Sequence, residues 1–480
     1  MAGQIELTVY PDVALSRMTA SQLADAVEYF APDVVAVPKP HHEIEIQQAL
    51  PADTPVVVLD RRPRTLRPIY ATDSVDLLRV PDTDSLRQLP DREGEDLITA
   101  GETYLLSDLL AVDIDLINLE TRLDGREAYE AAFPSSALSG SYTHLTTEAN
   151  PEYRTDWGPL AVQGALPGAN ERQGQTEPGI AHLQLQADGV VCTQTRTPEK
   201  FGLRALDQVG ATRAQELREA GFRSREAVAE AGIHDLRELA GFGRETAQTV
   251  TESATASIEG EVRRYGDEGF PSADPVFIDI ETDGLNPTMI WLIGVLDSRT
   301  EEYHSFLAQD PEEPAAAVEA LLSWLQSNAP NRPIVAYNGR SFDFPVIEEQ
   351  LAEHCPRYLD DWEQTWAFDP YYWATTKGQA LLPGRTNKLE DVAAALGWES
   401  ADTGLTGAAV ARLFQRWQAN PCEETALDWD RHERYCEDDV RALAHVYDAL
   451  AEATRTHSTE TGGESTATGD NTAQGQLSDF

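Results

Sequence analysis

Lysine is scarce in this chain, and that scarcity limits what the charge says about partners. The 480 residues include only four lysines, at Lys39, Lys200, Lys377 and Lys388. Lysine and arginine together number 37 against 82 acidic residues, so the formal net charge is −45. Such an excess of carboxylates is typical of proteins that stay soluble in concentrated salt, and we expect a halophilic source. Because concentrated salt screens phosphate attraction, the net charge does not exclude nucleic acid as a partner.

Paired cysteines and long apolar runs are also lacking. The four cysteines show no CxxC spacing, which excludes a zinc knuckle and a disulfide framework. No stretch approaches the roughly 20 apolar residues of a membrane span, and no secretory signal opens the chain. Apolar residues reach 41% and nine are tryptophan, which argues against a disordered acidic protein. We expect a cytoplasmic protein with two or three domains and no membrane partner.

Residues 1–197 predict an α/β domain whose role no motif reveals. Helical spacing runs from Thr19 to Phe30, with Thr19 or Ser21 as N-cap. Short apolar or alternating runs predict strands at Ile5–Tyr10, Asp33–Val37 and Thr54–Asp60, the last two typical of buried parallel strands. No glycine-rich phosphate loop follows these runs, so a nucleotide site is unsupported. We interpret the domain as a scaffold or regulatory unit.

The end of this domain predicts a hairpin and long loops. Residues 180–195 alternate around Asp188-Gly189, which is typical of a hairpin turn. Residues 136–179 are rich in Gly, Ser, Pro and Asn, and we expect long loops there.

The sequence pattern changes near residue 198, where glycines separate short predicted helices. The pattern around Val209-Gly210 returns at Phe242-Gly243, where Gly241 precedes it. Two helices joined by a tight glycine hairpin, repeated once, resemble a tandem helix-hairpin-helix domain over residues 198–265. That resemblance implies DNA binding, in which backbone amides and a helix N-terminus meet a phosphate. Gly210, Gly241 and Gly243 are the expected contacts.

The charge of this segment agrees with a nucleic-acid-facing module. Residues 200–264 hold ten basic and eleven acidic side chains, which is close to neutral in a very acidic chain. The alternative is a helical spacer in which the glycines are ordinary C-caps.

Two acids share one face of a predicted strand at Val276–Gly284. Side chains alternate along a strand, so Asp279 and Glu281 point the same way. Two buried carboxylates repel each other and lose hydration, and a divalent, oxygen-liganded cation removes both costs. The alternative is a strand end that is acidic because the whole protein is acidic.

Two further motifs follow in the chain. An apolar strand at Pro333–Tyr337 leads into Asn338 and, at a junction between strand and helix, Asp343. The last predicted helix carries Tyr435 and Asp439, which lie four residues apart and so share a face.

Together these motifs resemble the DEDD 3′–5′ exonucleases of ribonuclease-H-like fold, in particular the YprB-like group. The resemblance covers residues 274–452 and three motifs in order: Asp279-x-Glu281, Asn338-x-x-x-Phe342-Asp343 and Tyr435-x-x-x-Asp439. A member with a histidine helper would place it five residues before the last aspartate, where this chain has Arg434. Tyr435 therefore indicates the tyrosine subclass. Asp438 is the rival of Asp439, but Arg434 lies four residues before it, so no tyrosine would serve it.

The resemblance implies a two-metal hydrolysis of phosphodiester bonds. Asp279, Glu281, Asp343 and Asp439 would hold two Mg²⁺ or Mn²⁺ ions roughly 4 Å apart. Tyr435 would orient the attacking water, since a phenol with a pKa near ~10 is a poor base at neutral pH.

Other residues around these motifs are assigned lesser parts. Asn338 and Lys388 are candidate nucleic-acid contacts, although Lys388 also fits a plain surface lysine. We leave Asp369 outside the site and interpret His432 as a solvated helix residue.

The chain closes with a polar segment, residues 453–480, that predicts a disordered acidic tail. It ends in Gln474-x-x-Leu477-x-x-Phe480, which resembles the peptides that bind sliding clamps, without the second aromatic.

The fold class we expect is α/β. A ribonuclease-H-like mixed sheet flanked by helices follows a small all-α helix-hairpin-helix domain and the N-terminal α/β domain. The function we expect is metal-dependent 3′–5′ exonuclease activity, with DNA as substrate and a role in DNA repair or replication. Alternatives are a catalytically silent nucleic-acid-binding adaptor and a structure-specific endonuclease of the same fold.

Overall fold

A computed structural model gives the architecture. It describes residues 3–93, 97, 100–115, 120–157, 160–169, 179–401, 403–422, 425–453 and 455. None of the helices in these ranges is both long enough and apolar enough to cross a membrane.

The described N-terminal residues combine two sheets with short helices. The strands are β1 Ile5–Val9, β2 Val34–Val37, β3 Val56–Val58, β4 Arg67–Ala71, β5 Val75–Arg79, β6 Glu102–Asp115, β7 Glu120–Asp124, β8 Ser141–Glu148, β9 Arg154–Trp157, β10 Leu160–Gly164, β11 Ile180–Leu185 and β12 Val191–Arg196. The helices are α1 Asp12–Leu15, α2 Ala20–Phe30, α3 Pro40–Gln47, α4 Thr83–Leu86, α5 Leu89–Arg92 and α6 Arg126–Ala132.

The first sheet has the order β12-β11-β1-β2-β3. Strands β1, β2 and β3 are parallel to one another, and β11 and β12 form the predicted antiparallel hairpin. Thr19 caps α2 in a capping box with Gln22, so of the two N-cap candidates the structure selects Thr19. The α/β prediction for this domain is confirmed.

The second sheet corrects the prediction of long loops at residues 136–179. Its order is β4-β5-β6-β8-β10-β9, with β7 paired to β6, and β8, β9 and β10 all lie in the range assigned to loops. In β8 the polar residues Thr143, His144 and Thr146 are buried rather than exposed. His144 is held between Ser107 and Tyr129 by its two ring nitrogens. These polar side chains can be buried because they are hydrogen-bonded. The sequence of β8 therefore does not alternate between apolar and polar residues, as that of a half-buried strand does.

Four helices form the next domain: α7 Ala211–Glu219, α8 Arg225–Glu230, α9 Ile233–Arg237 and α10 Arg244–Glu259. Two equivalent loops precede α7 and α10. Gln208 and Gly241 occupy the same place in these loops and both have left-handed backbones, with φ 62° and 80°. Val209 and Phe242 follow them into one apolar core. Arg213 donates hydrogen bonds to the carbonyls of both Gln208 and Gly241, which ties the two hairpins together.

The C-terminal domain has a mixed sheet with the order β16-β15-β14-β17-β18. The strands of this sheet are β14 Val276–Thr282, β15 Ile290–Asp297, β16 Glu302–Leu307, β17 Ile334–Val335 and β18 Ala367–Phe368, and a separate pair is formed by β13 Arg263–Arg264 and β19 Ala380–Leu381. The helices of the domain are α11 Ala316–Asn328, α12 Asp343–His354, α13 Leu359–Glu363, α14 Leu389–Ala395, α15 Gly407–Ala419 and α16 Trp429–Glu452. The central strand β14 is antiparallel to β15 and parallel to β17. The predicted mixed sheet flanked by helices is therefore present.

The three domains meet at one carboxylate. Asp25, on α2, accepts hydrogen bonds from Arg225 of the four-helix domain at 2.8 Å and from Arg385 of the C-terminal domain at 2.7 Å. Its second oxygen accepts from the backbone amide of Gly202 at 2.7 Å. One buried acid thus joins helix α2 to both neighbouring domains.

Candidate active site

Strand β14 presents two carboxylates at the centre of the C-terminal sheet. Asp279 and Glu281 lie on the same face, as the alternation predicts, while Ile278 and Ile280 belong to the domain core. Glu281 retains only 7% of its accessible surface. Strand β15 pairs with β14 from Val276 to Thr282 and so fixes both acids, whereas β17 pairs only with Val276 and Phe277.

The junction after β17 brings a third carboxylate to the same strand. Asp343 is the first residue of α12 and is 6% exposed. Its carboxylate interacts with the backbone amide of Ile280, between the two acids of β14. The loop that leads to it begins at Asn338, which has a left-handed backbone with φ 58°.

Helix α16 supplies the fourth carboxylate and the tyrosine. Asp439 and the Tyr435 hydroxyl interact with each other. The charge of Asp439 raises the pKa of Asp279 and Glu281, and the charges of these acids raise the pKa of Tyr435. The neighbouring Asp438 points elsewhere, since its oxygens accept from Trp398 Nε1 at 3.3 Å and Ser400 Oγ at 2.7 Å. Asp438 and Asp439 were both candidates for the last motif, and the structure brings Asp439 to the cluster.

Burial raises the pKa of each carboxyl in this cluster most, and the charges of nearby acids raise it further. For Asp279 burial raises the pKa most, followed by the charges of Glu281, Asp439 and Asp343. The pKa of Glu281 is also well above its usual range, for the same reasons. Burial raises the pKa of Asp343 and of Asp439 to about 7. Within the described residues, no arginine or lysine forms an ion pair with these four acids. The cluster therefore lacks the positive charge that would stabilise the ionised form of its carboxyl groups.

The donor set fits a hard divalent cation. Asp279, Glu281 and Cys436 each offer one ligand atom, and these atoms lie within 4.8 Å of one another. Burial raises the pKa of the Cys436 thiol, so it stays protonated and is a poor ligand at neutral pH. Carboxylate oxygens are the donors that Mg²⁺ and Mn²⁺ prefer. The residues present thus suit an oxygen-liganded ion better than a thiolate-liganded one.

Asp369, which we left outside the site although a strand could bring it close, lies beside the loop that carries Asp343. It follows β18, is 2% exposed and accepts from the backbone amides of Asn338 and Arg340, both at 3.1 Å, and of Tyr372 at 3.0 Å. Its charge also raises the pKa of Asp343. Asp369 therefore fixes the loop that carries Asp343. In the sequence, the only indication of this role was an acidic residue directly after a short apolar run.

His432 is buried, which corrects its interpretation as a solvated residue. It is 2% exposed, contacts the Trp291 ring edge-on, and pairs through Nδ1 with the carbonyl of Asp428 at 2.8 Å. Asp428 is the N-cap of α16, so His432 packs inside the first turn of that helix. In the sequence, His432 stands among polar residues of a predicted helix, and this pattern does not indicate the contact with Trp291.

The candidate nucleic-acid contacts are spread over two domains. Gly210 and Gly243 are the N-caps of α7 and α10, and no side chain caps either helix. Lys388 is exposed at the N-cap of α14. It lies beside Asn387, whose carbonyl accepts from the Tyr337 hydroxyl at 2.7 Å. Gln474, Leu477 and Phe480 lie outside the described residues.

Comparisons with known proteins agree with this division of the chain. The family model described as the RNase_H superfamily matches residues 276–451, and the model described as a SAM-like helix-hairpin-helix tandem matches residues 202–256. No curated protein matches the chain.

Solved structures of exonuclease I show a partial likeness. The zinc-ion-bound E. coli exonuclease I–ssDNA complex has 17% identity over 31% of this chain and 42% of that chain, with a TM-score of 0.22. A product-bound exonuclease I structure has 18% identity over 31% of this chain and 44% of that chain, with a TM-score of 0.21. The chain thus spans less than half of those enzymes, and likeness at this level carries no information on activity. The chain contains a helix-hairpin-helix domain at residues 202–256 and a ribonuclease-H-like domain at residues 276–451.

Proposed function

We propose that the protein is a metal-dependent 3′–5′ exonuclease that hydrolyses the phosphodiester bonds of DNA. The observation that supports this proposal is the meeting of four carboxylates, two buried and two half-buried, with one tyrosine. They are drawn from β14, α12 and α16, without a basic side chain among the described residues to neutralise them. A structural acidic cluster would be expected to recruit arginine, which this chain does use at Asp25 and Asp297. A cluster left uncompensated fits a site that takes a cation from solution.

The residues divide by role. Asp279, Glu281, Asp343 and Asp439 would hold Mg²⁺ or Mn²⁺. When bound, such ions lower the pKa of water and stabilise the charge that develops on the phosphate and the leaving oxygen. Tyr435, whose pKa burial raises well above its usual range, stays protonated and orients the attacking water by a hydrogen bond. The tyrosine is a positioning group rather than a base.

The helix-hairpin-helix domain would hold the strand that enters the site. The uncapped N-termini of α7 and α10 offer free backbone amides near Gly210 and Gly243, and their position in paired hairpins suits phosphate contacts without base reading. Asn338 and Lys388 would contact the strand closer to the carboxylates. A role in DNA repair or replication, and clamp binding through Gln474, Leu477 and Phe480, are parts of the same proposal.

The test compares two adjacent aspartates. The full chain, Asp439→Asn and Asp438→Asn are assayed in about molar KCl on 5′-labelled single-stranded DNA and RNA, with Mg²⁺, Mn²⁺ or a chelator. We expect metal-dependent shortening from the 3′ end, lowered at least 100-fold in Asp439→Asn and near wild type in Asp438→Asn. Equal activity in the two variants would refute the site.

Two substrates address the alternatives. A 3′-blocked strand tests polarity, and we expect it to resist. Cleavage of a circular strand would instead indicate an endonuclease, because an exonuclease needs an end. Tight DNA binding with no hydrolysis under any divalent ion would favour a silent adaptor.

A further inference from the structure

A polar cleft lies between the helix-hairpin-helix domain and the loop that leads to α14. Its volume is about 440 Å³, and its sixteen lining residues include four basic side chains and one acidic one. The basic residues are Lys200, Arg204, Arg225 and Arg385. In a chain where acids outnumber bases by 82 to 37, this local reversal of charge singles out the cleft.

Two arginines are held at the cleft by a shared counterion. Arg225 and Arg385 both bind the same oxygen of Asp25, at 2.8 and 2.7 Å. One carboxylate cannot neutralise two guanidinium groups, so the pair keeps a net positive charge. Arg385 also stacks on Tyr29, 5.0 Å from its ring centroid, which limits its movement. The charge is thus pre-organised.

The cleft also has donors in need of an acceptor. The Nε atoms of Arg204 and Arg385 are buried and have no hydrogen-bond partner within the described ranges. The N-terminus of α7, whose cap Gly210 offers no side chain, opens into the same cleft. Arg204 already donates from Nη1 to Glu199 at 2.6 Å, so its other guanidinium N–H groups and those of Arg385, beside the free amides of α7, are the donors that suit a phosphate group.

One chain segment connects the cleft to the carboxylate site. Its far wall is formed by residues up to Asn387, whose carbonyl accepts from Tyr337, the residue before Asn338. The same segment runs on into α14, where Glu390 acts electrostatically on Asp439. The cleft and the four carboxylates thus lie along one segment of the chain.

We propose that this interdomain cleft binds the phosphodiester backbone of a single-stranded nucleic acid. The contacts are Lys200, Arg204 and Arg385. The strand's direction, with its 3′ end at the carboxylates, rests on the proposed nuclease function, but binding in the cleft does not.

Binding is measured first, since it does not need catalysis. The full-length protein in the absence of divalent metal is titrated against a fluorescent 24-nucleotide dT strand, and anisotropy is followed from about 0.3 to 2 M KCl. We expect Lys200→Gln with Arg204→Gln to weaken binding about tenfold and to lower the slope of log K against log salt by about 1.4, at about 0.7 per lost phosphate contact. The matched control is Arg357→Gln with Lys377→Gln, a pair outside the cleft lining that should leave binding unchanged. Equal effects of the two double variants would overturn the proposal.

Competitors identify the ligand. We expect unlabelled dT12 to displace the 24-mer, and inorganic phosphate and dTMP to leave it bound at the same phosphate concentration. Displacement by inorganic phosphate to the same extent would mean an anion site rather than a strand path, and would overturn the proposal.

Hydrolysis separates this proposal from the proposed function. With Mn²⁺, we expect the Lys200→Gln, Arg204→Gln variant to lose about tenfold in kcat/KM on dT24, and the Arg357→Gln, Lys377→Gln control to keep the wild-type value. An equal loss in the two double variants would contradict the cleft. Absence of hydrolysis by the wild type, with cleft-dependent binding intact, would refute only the nuclease function.

Discussion

The Sγ atom of Cys436 lies 3.7 Å from Oδ2 of Asp279. Helix α16 comes this close to the sheet because Gly294, the partner of Asp279 on β15, has no side chain. A Cβ built on Gly294 would meet Cys436 Sγ at 2.6 Å and the Tyr303 hydroxyl at 3.0 Å. The packing of a glycine under a cysteine therefore sets how near α16 brings its acid to the acids of β14.

Gly294→Ala is expected to separate α16 from the sheet. The added methyl has no room, so the helix must shift, at a cost of about 1–3 kcal/mol in the free energy of unfolding. Activity should fall about 100-fold, because Tyr435 and Asp439 move with the helix. Gly269→Ala is the control, since nothing lies within 4 Å of its Cβ. Thermal unfolding and the exonuclease assay measure the two effects, and full activity in Gly294→Ala would contradict the packing argument.

Metal binding is expected to depend steeply on pH. The pKa of Asp343 and of Asp439 is raised to about 7, above the unfolded value of 3.8. Without metal the folded state binds more protons, so stability falls as pH rises from about 4 to about 7. A bound cation needs the ionised form and removes this loss.

The measurement is the rise in Tm caused by Mn²⁺ at several pH values. We expect almost no rise at pH 5 and the largest rise at pH 8, because protons compete with the cation below about pH 7. The Asp343→Asn, Asp439→Asn variant should lose most of the rise at every pH. A rise that is equal at pH 5 and pH 8 would show that the ion binds elsewhere.

Much of the C-terminal domain was predictable because its signals are local. The alternation in Val276–Thr282 sets the face of Asp279 and Glu281, and the four-residue spacing sets that of Tyr435 and Asp439. The structure brings these side chains together, although their catalytic roles stay predictions.

What the sequence did not reveal depends on contacts between distant segments. Asp369 meets backbone amides about thirty residues earlier in the chain, and such amides have no signature in the sequence. In the sequence, Gly294 only interrupts a predicted strand. Its close packing against Cys436 is visible only in the structure. Strand β8 was missed because its buried threonines and histidine find partners on other strands.

Asp369→Asn is expected to loosen the loop that carries Asp343. An asparagine oxygen can replace one acceptor, but its amide group would face a backbone N–H of the loop. We expect a loss of about 1–3 kcal/mol in stability and about a tenfold fall in kcat. Because Asp369 positions Asp343 and does not itself touch substrate, the Mn²⁺ concentration for half activity should rise. The exposed Asp360→Asn serves as control, and an unchanged Mn²⁺ dependence would refute this positioning role.

Asp25→Asn is expected to uncouple the three domains. The carboxylate is 8% exposed and binds two arginines and one backbone amide, so its loss leaves Arg225 and Arg385 facing each other without a counterion. Removing one partner from a buried charge network costs about 3–5 kcal/mol. The exposed pair of Asp274 with Arg299 gives the control, since Asp274→Asn should cost no more than about 1 kcal/mol. Calorimetry in about molar KCl should show a lower Tm and a split transition for Asp25→Asn alone. A single transition at the wild-type Tm would mean that apolar contacts, and not this carboxylate, hold the domains together.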